Sequence, residues 1–221
     1  MNSKTLFQRF ECISDEIKRL QNSIFALQST DFEEYRDNYE ELSTNAALRA
    51  ERIACQLRSL VYVSNSKSKE NYMKQAALAH EISIQKDGPL MTIRLPGLLT
   101  KRKVHINTAF LSEPLNYAMQ DYVRIHSIPL FENCVVCFSQ IYDRQLPLQR
   151  ILDYDNLEFK QILDTIATYV LRDDTGLFCD MFHTTQLGEK DCTIIYVMEK
   201  NTFPEWLKSR KDELQNISEI S

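Results

Sequence analysis

Glu81-Ile82-Ser83-Ile84-Gln85-Lys86-Asp87-Gly88-Pro89-Leu90-Met91-Thr92-Ile93-Arg94-Leu95-Pro96-Gly97 is the stretch in which the chain changes period. Ile82 and Ile84 alternate with polar residues, and so do Met91, Ile93 and Leu95 beyond Asp87-Gly88. Alternation at every second residue marks a strand with one buried face. An Asp-Gly pair between two such runs predicts a β-hairpin, which Pro96-Gly97 ends. The residues before this stretch follow a helical period, and those after it mix both. The reading is an α+β chain. An antiparallel helical hairpin arm occupies 1–80, and an α+β domain with a small mixed β-sheet and flanking helices occupies 81–221.

Toward the N-terminus, Leu6, Phe10, Ile13, Ile17, Leu20, Ile24 and Leu27 are spaced alternately by four and three. This is an a/d coiled-coil seam over three heptads and predicts a helix over 5–27. Gln28-Ser29-Thr30-Asp31 interrupts it. Thr30 and Glu33 have the spacing of a capping box, so a second helix is expected from there to about Val63. Its apolar face would carry Phe32, Tyr35, Tyr39, Leu42, Ala46, Ile53, Leu57 and Leu60. Two long helices joined by a short connection form a hairpin suited to dimerisation or to holding a protein partner. A short helix over 69–80 follows.

Toward the C-terminus, a helix is expected over 111–125 with Ser112 as its N-cap. A strand at 133–142, a helix at 156–171, strands at 177–184 and 191–199, and a helix at 203–215 complete the pattern.

Composition excludes several classes. The 221 residues are 43% hydrophobic and 26% charged, which is ordinary for globular chains of one large or two small domains. No apolar run approaches the roughly 20 residues of a membrane span, and no secretory apolar region follows Met1, so a cytoplasmic protein is expected. The six Cys then read as small buried residues. Cys134 and Cys137 form a C-x-x-C inside a strand-like run, where the two side chains face opposite ways. No second such pair or paired His suggests zinc. No glycine-rich phosphate loop and no Gly-x-Ser-x-Gly occurs.

The acidic residues are the most informative for chemistry. Asp153-Tyr154-Asp155-Asn156-Leu157-Glu158-Phe159-Lys160 is followed by Asp164 and by Asp173-Asp174. Singly, Asp155 caps a helix with Glu158, Lys160 pairs with Asp164 four residues on, and Asp173-Asp174 makes a turn. Together, crowded carboxylates raise one another's pKa unless a divalent cation neutralises them. Mg²⁺ takes one or two carboxylates plus phosphate oxygens and activates a bound water for phosphodiester hydrolysis. A 16-residue helix separates the two acid groups by roughly 24 Å, so they meet only if the chain turns back or a second copy contributes. His183, on the strand after Asp173-Asp174, reads as a buried neutral imidazole rather than a ligand.

Asp153-Tyr154-Asp155-Asn156, Lys160, Asp164 and Asp173-Asp174, ahead of two strands, resemble the signature of the RusA-type Holliday junction resolvases. Ile93-Arg94-Leu95-Pro96 and Lys101-Arg102-Lys103 are similar to that family's opening strand and basic loop. The resemblance covers about 91–199. It implies a RusA-like α+β fold and a homodimeric, Mg²⁺-dependent endonuclease acting on branched DNA. Asp153, Asp155 and Asp174, with Asp173 beside them, would bind metal. Lys160 would sit near the scissile phosphate, and Lys101, Arg102 and Lys103 would contact DNA. Lys160 stands five residues after Asp155 rather than the family's four, and the family lacks the arm at 1–80. The alternative is a non-catalytic nucleic-acid-binding or assembly protein that keeps a nuclease-like fold.

The net charge of −5 argues against nucleic acid when taken whole. Divided, it does not. Residues 86–103 carry five bases and one acid, whereas 151–180 carry seven acids and two bases. Bound cations would cancel much of that acidic excess.

Overall fold

The computed structural model describes the backbone of residues 3–64, 69–99 and 109–218. It describes their side chains except at 3–5, 62–64, 69–70, 109–110, 156 and 211–218. The chain divides into two compact units, Met1–Tyr72 and Met73–Ser221.

The first unit is a hairpin of α1 (Ser3–Ser29) and α2 (Arg36–Ser64). Its turn forms differently from the expected capping box. The Thr30 hydroxyl donates to the Ala26 carbonyl at 2.8 Å, so Thr30 closes α1 instead of opening α2. Asp31 takes the capping role: its Oδ1 accepts from the Glu33 and Glu34 amides at 2.8 and 3.1 Å. Four residues, Phe32 to Tyr35, then precede α2.

Helix α3 (Lys69–Ala79) leads into the second unit. There β1 (Ser83–Asp87), β2 (Leu90–Leu95), α4 (Ala109–His126), β3 (Cys134–Asp143), α5 (Lys160–Val170), β4 (Cys179–Gly188), β5 (Cys192–Glu199) and α6 (Phe203–Ser218) follow in order. The strands make one mixed sheet in the order β1-β2-β5-β3-β4. Only β3 and β4 are parallel; the other neighbours are antiparallel. The β1–β2 hairpin closes with Asp87 opposite Leu90. Gly88 adopts a φ of +55° in that turn, a left-handed value that a side chain would strain.

Register explains the layers. Ile93, Ile195 and Phe138 stand side by side across three strands, as do Met91, Val197 and Val136. All six are fully buried against Leu115 and Met119 of α4 and Ile162, Ile166 and Val170 of α5. Helix α6 lies on the opposite face. Its Phe203 and Trp206 rings meet Phe182 and Tyr196, each at 5.0 Å. Arg210, 7% exposed, donates to Ser139 Oγ and Thr184 Oγ1, both at 2.7 Å.

Two expected helices shift. The helix expected from 156 begins at Lys160, because a 3-10 turn at Tyr154–Asn156 precedes it and Leu157 is buried between the two. Helix α4 reaches back to Ala109, so Ser112 lies inside it. The architecture is thus α+β, with an N-terminal helical region and a mixed five-stranded sheet. No described helix is long and apolar enough to cross a membrane.

Candidate functional site

The acidic segment is built by the entry to α5. Asp153 precedes the 3-10 turn and makes no capping bond with its side chain; Asp155 lies within the turn, and both are exposed. The first residue before α5 is Phe159, again without a side-chain cap, so the Asp155–Glu158 capping pair does not form. Lys160 bonds to both carboxylate oxygens of Asp164 at 3.0 and 3.1 Å. That bond, with the charges of Asp164, Asp174 and Glu158, pushes the Lys160 pKa up. Asp174 is therefore within electrostatic reach of Lys160. Asp173 is spent locally, its Oδ1 accepting from the Thr175 amide at 2.8 Å.

Among the described residues, no three His, Cys, Asp or Glu side chains are placed to hold a metal ion. Lys101, Arg102 and Lys103 lie outside the described residues.

His183, expected from the sequence to be a buried neutral imidazole, packs against this segment. Its ring stacks at 25° on Tyr154, 5.2 Å away, and lies 4.3 Å from Phe159 and 6.0 Å from Phe138. The Tyr154 hydroxyl is held 2.9 Å from Thr185 Oγ1. His183 Nδ1 is buried with no hydrogen-bond partner among the described residues. Burial lowers its pKa, so the imidazole is neutral near pH 7.

The hairpin carries the second feature. The seven-residue seam of α1 consists of two lines. Leu6, Ile13, Leu20 and Leu27 turn toward α2, with Ile13 only 6% exposed. The other line, Phe10, Ile17 and Ile24, is 51%, 39% and 44% exposed. In its place α1 turns Glu16 inward, which bonds Arg49 at 3.1 Å and Arg52 at 3.3 Å.

That network fixes which flank is which. On α1, Glu16 and Ile17 fall on opposite sides of the Ile13–Leu20 line, since each residue turns by about 100°. On α2, Arg49 and Arg52 fall on one side of the buried Ala46–Ile53 line, and Ala50, Ala54 and Leu57 on the other. The Glu16 bonds bring Arg49 and Arg52 to the flank of Glu16. Ala50, Ala54 and Leu57 therefore share the flank of Phe10, Ile17 and Ile24. One flank of the hairpin carries the polar Glu16–Arg49–Arg52 network and a cleft of ≈ 360 Å³ lined by Gln8, Arg9, Cys12, Ile13, Gln56 and Ser59. The other flank sets the exposed Phe10, Ile17 and Ile24 of α1 beside exposed Ala50, Ala54 and Leu57 (45% exposed) of α2, with buried Arg58 one turn beyond Ala54. The sequence signal for it was the double seven-residue repeat, because a single antiparallel neighbour buries only one line well.

A family model described as "Family of unknown function (DUF6100)" matches residues 2–221. No curated protein matches the sequence. Among solved structures, the chain is similar to the periplasmic domain of Helicobacter pylori MotB at 11% identity and a TM-score of 0.35. That match covers 62% of this chain and 92% of the other. It is also similar to a putative MotB-like protein from Desulfovibrio vulgaris at 11% identity and a TM-score of 0.32, over 65% and 99% of the two chains. These findings correct the resolvase resemblance. The family whose model spans residues 2–221 is one of unknown function, not the resolvase family. The RusA-like fold, the endonuclease activity, branched DNA as partner and the homodimer drawn from that resemblance are withdrawn with it. The exposed acids that suggested it are distributed over a 3-10 turn, a helix and an Asx turn.

Proposed function

Because the chain belongs to this family of unknown function, its role is read from its own residues, and we propose that it is an assembly protein whose N-terminal hairpin receives one amphipathic helix of a partner protein. The observation that carries this is the exposed Phe10–Ile17–Ile24 line beside Ala50, Ala54 and Leu57. A heptad line left half open on a helical hairpin matches the seat of a third helix, with large side chains on one wall and small ones on the other. Dimensions favour the reading. Helix α1 has 27 residues and is about 40 Å long; two helices side by side are about 20 Å across. Such a face offers about 800 Å², the contribution of one partner to a standard protein interface. Covering each half-exposed Phe or Ile contributes about 1 kcal/mol.

A photocrosslinking residue at position 17, compared with one at position 9 on the polar side, tests this in the host cell. The expected result is an adduct from position 17 to an amphipathic helical segment of another protein, absent from position 9 and lost with Phe10→Glu plus Ile24→Glu. Equal adducts from both positions, or adducts only between copies of this chain, would overturn the proposal.

A further inference from the structure

Cys134 and Cys179 open the two parallel strands and stand directly opposite each other in register. Both are free thiols. They are 1% and 4% exposed and belong to the same apolar core, so the side chains share one face of the sheet. Neighbouring strands lie about 4.8 Å apart. That falls inside the range of about 4.4–6.8 Å between Cα atoms that a disulfide spans. No other pair of the six cysteines is opposed in this way among the described residues. Cys137 pairs with Phe182 and Tyr196 on the α6 side of the sheet, and Cys192 pairs with Ile141.

We propose that Cys134 and Cys179 are a reversible dithiol–disulfide pair, oxidised by hydrogen peroxide, that fastens edge strand β4 to β3. The interaction of the two sulfurs holds the Cys179 pKa below its usual range and pushes that of Cys134 up. Cys179 lies on edge strand β4, the side from which peroxide arrives, and its thiolate is the sulfur that reacts first. It attacks one peroxide oxygen; the O–O bond breaks, leaving a sulfenic acid and a hydroxide that is protonated to water. The Cys134 sulfur then attacks the sulfenic sulfur. The S–S bond forms, the S–O bond breaks, and the departing hydroxide takes the Cys134 proton as a second water. Two thiols lose two electrons, and one peroxide becomes two waters.

Access comes from the edge. β4 has a neighbour on one side only, and the turn that feeds it carries Leu177 at 75% exposure. Local opening at a sheet edge costs less than global unfolding. The bridge would close a loop of about 45 residues and raise the melting temperature by roughly 5–10 °C.

The test treats the full chain with hydrogen peroxide, alkylates the remaining thiols after denaturation, and maps the peptides by mass spectrometry. Exposed Cys12 and Cys55 serve as internal reactivity standards. The expected product is a Cys134–Cys179 linked peptide with a loss of 2 Da, reversed by dithiothreitol, together with the raised melting temperature. Cys179→Ala is expected to abolish both changes. The wild-type map remains decisive if that variant fails to fold. The proposal fails if both thiols still alkylate once Cys12 and Cys55 are consumed. It fails equally if they oxidise separately to sulfinic acids, or if either bridges to another cysteine.

Discussion

At the scale of single residues, two buried polar side chains govern how the second unit responds to conditions. His183 is held neutral by burial against Tyr154, Phe159 and Phe138. The unfolded chain takes up a proton at this position near pH 6.5, and the folded chain takes it up only at lower pH. The stability that the neutral ring contributes is therefore complete above about pH 6.5 and declines as the pH falls through that value. His183→Phe keeps the stacking and removes the proton. Urea titrations at pH 7.5 and 5.5 are expected to show a smaller loss for the variant than for the wild type; equal losses would clear His183 of the effect. Arg210 is the second case. Its guanidinium bonds two hydroxyls and lies 5.2 Å from the Trp206 ring and 5.7 Å from that of Tyr196. Arg210→Met leaves Ser139 and Thr184 without their donor and is expected to cost about 2–3 kcal/mol. Arg210→Lys is expected to recover less than half, because an ammonium is more strongly hydrated and lacks the planar guanidinium that lies against the Trp206 and Tyr196 rings. Chemical denaturation followed by Trp206 fluorescence measures both.

At the scale of elements, the α1–α2 pairing is decided by one carboxylate. Glu16 lies between Arg49 and Arg52, with its side chain 13% exposed. Glu16→Ala leaves Arg49 and Arg52, side by side on α2, without their shared carboxylate. It is expected to lower hairpin stability by about 1–2 kcal/mol, with part of the loss masked at high salt, as circular dichroism melts at two salt concentrations would register. This also explains what the sequence could and could not reveal. The α1 heptads were legible, because Leu6 through Leu27 repeat every seven residues. Which of their two lines meets α2 was not, because the choice depends on Arg49 and Arg52, more than thirty residues away. The strands were legible from the alternation of Met91, Ile93 and Leu95, and the Asp87-Gly88 turn from its dipeptide. The start of α5 was misplaced because Asp155 and Glu158 have capping spacing, while burial of Leu157 pulls the chain into an extended step first. The acids formed a convincing series in one dimension, but linear order holds no information on whether side chains converge.

At the scale of the whole molecule, the two units differ in how much apolar surface they enclose. Among the described residues of the first unit, only Ile13, Ala46 and Ile53 are buried apolar side chains, whereas the second unit holds one continuous core across its sheet and helices. Heating is therefore expected to give two separate transitions. Helical ellipticity from α1 and α2 is lost first, and the signal of Trp206, the single tryptophan, changes later. Coincident transitions would show that the hairpin draws its stability from elsewhere. The strand order has a consequence for synthesis. β5 is the last strand made, yet it occupies the middle of the sheet between β2 and β3. Until residues 192–199 are available, the β1–β2 hairpin and the β3–α5–β4 crossover are two half-sheets, each with an open edge toward the same missing strand. The nascent chain must keep both edges unpaired and wait, and its last long-range step is the insertion of a strand into a gap. Slow folding and early aggregation therefore belong to this topology, and they should be most sensitive to changes within Cys192–Glu199.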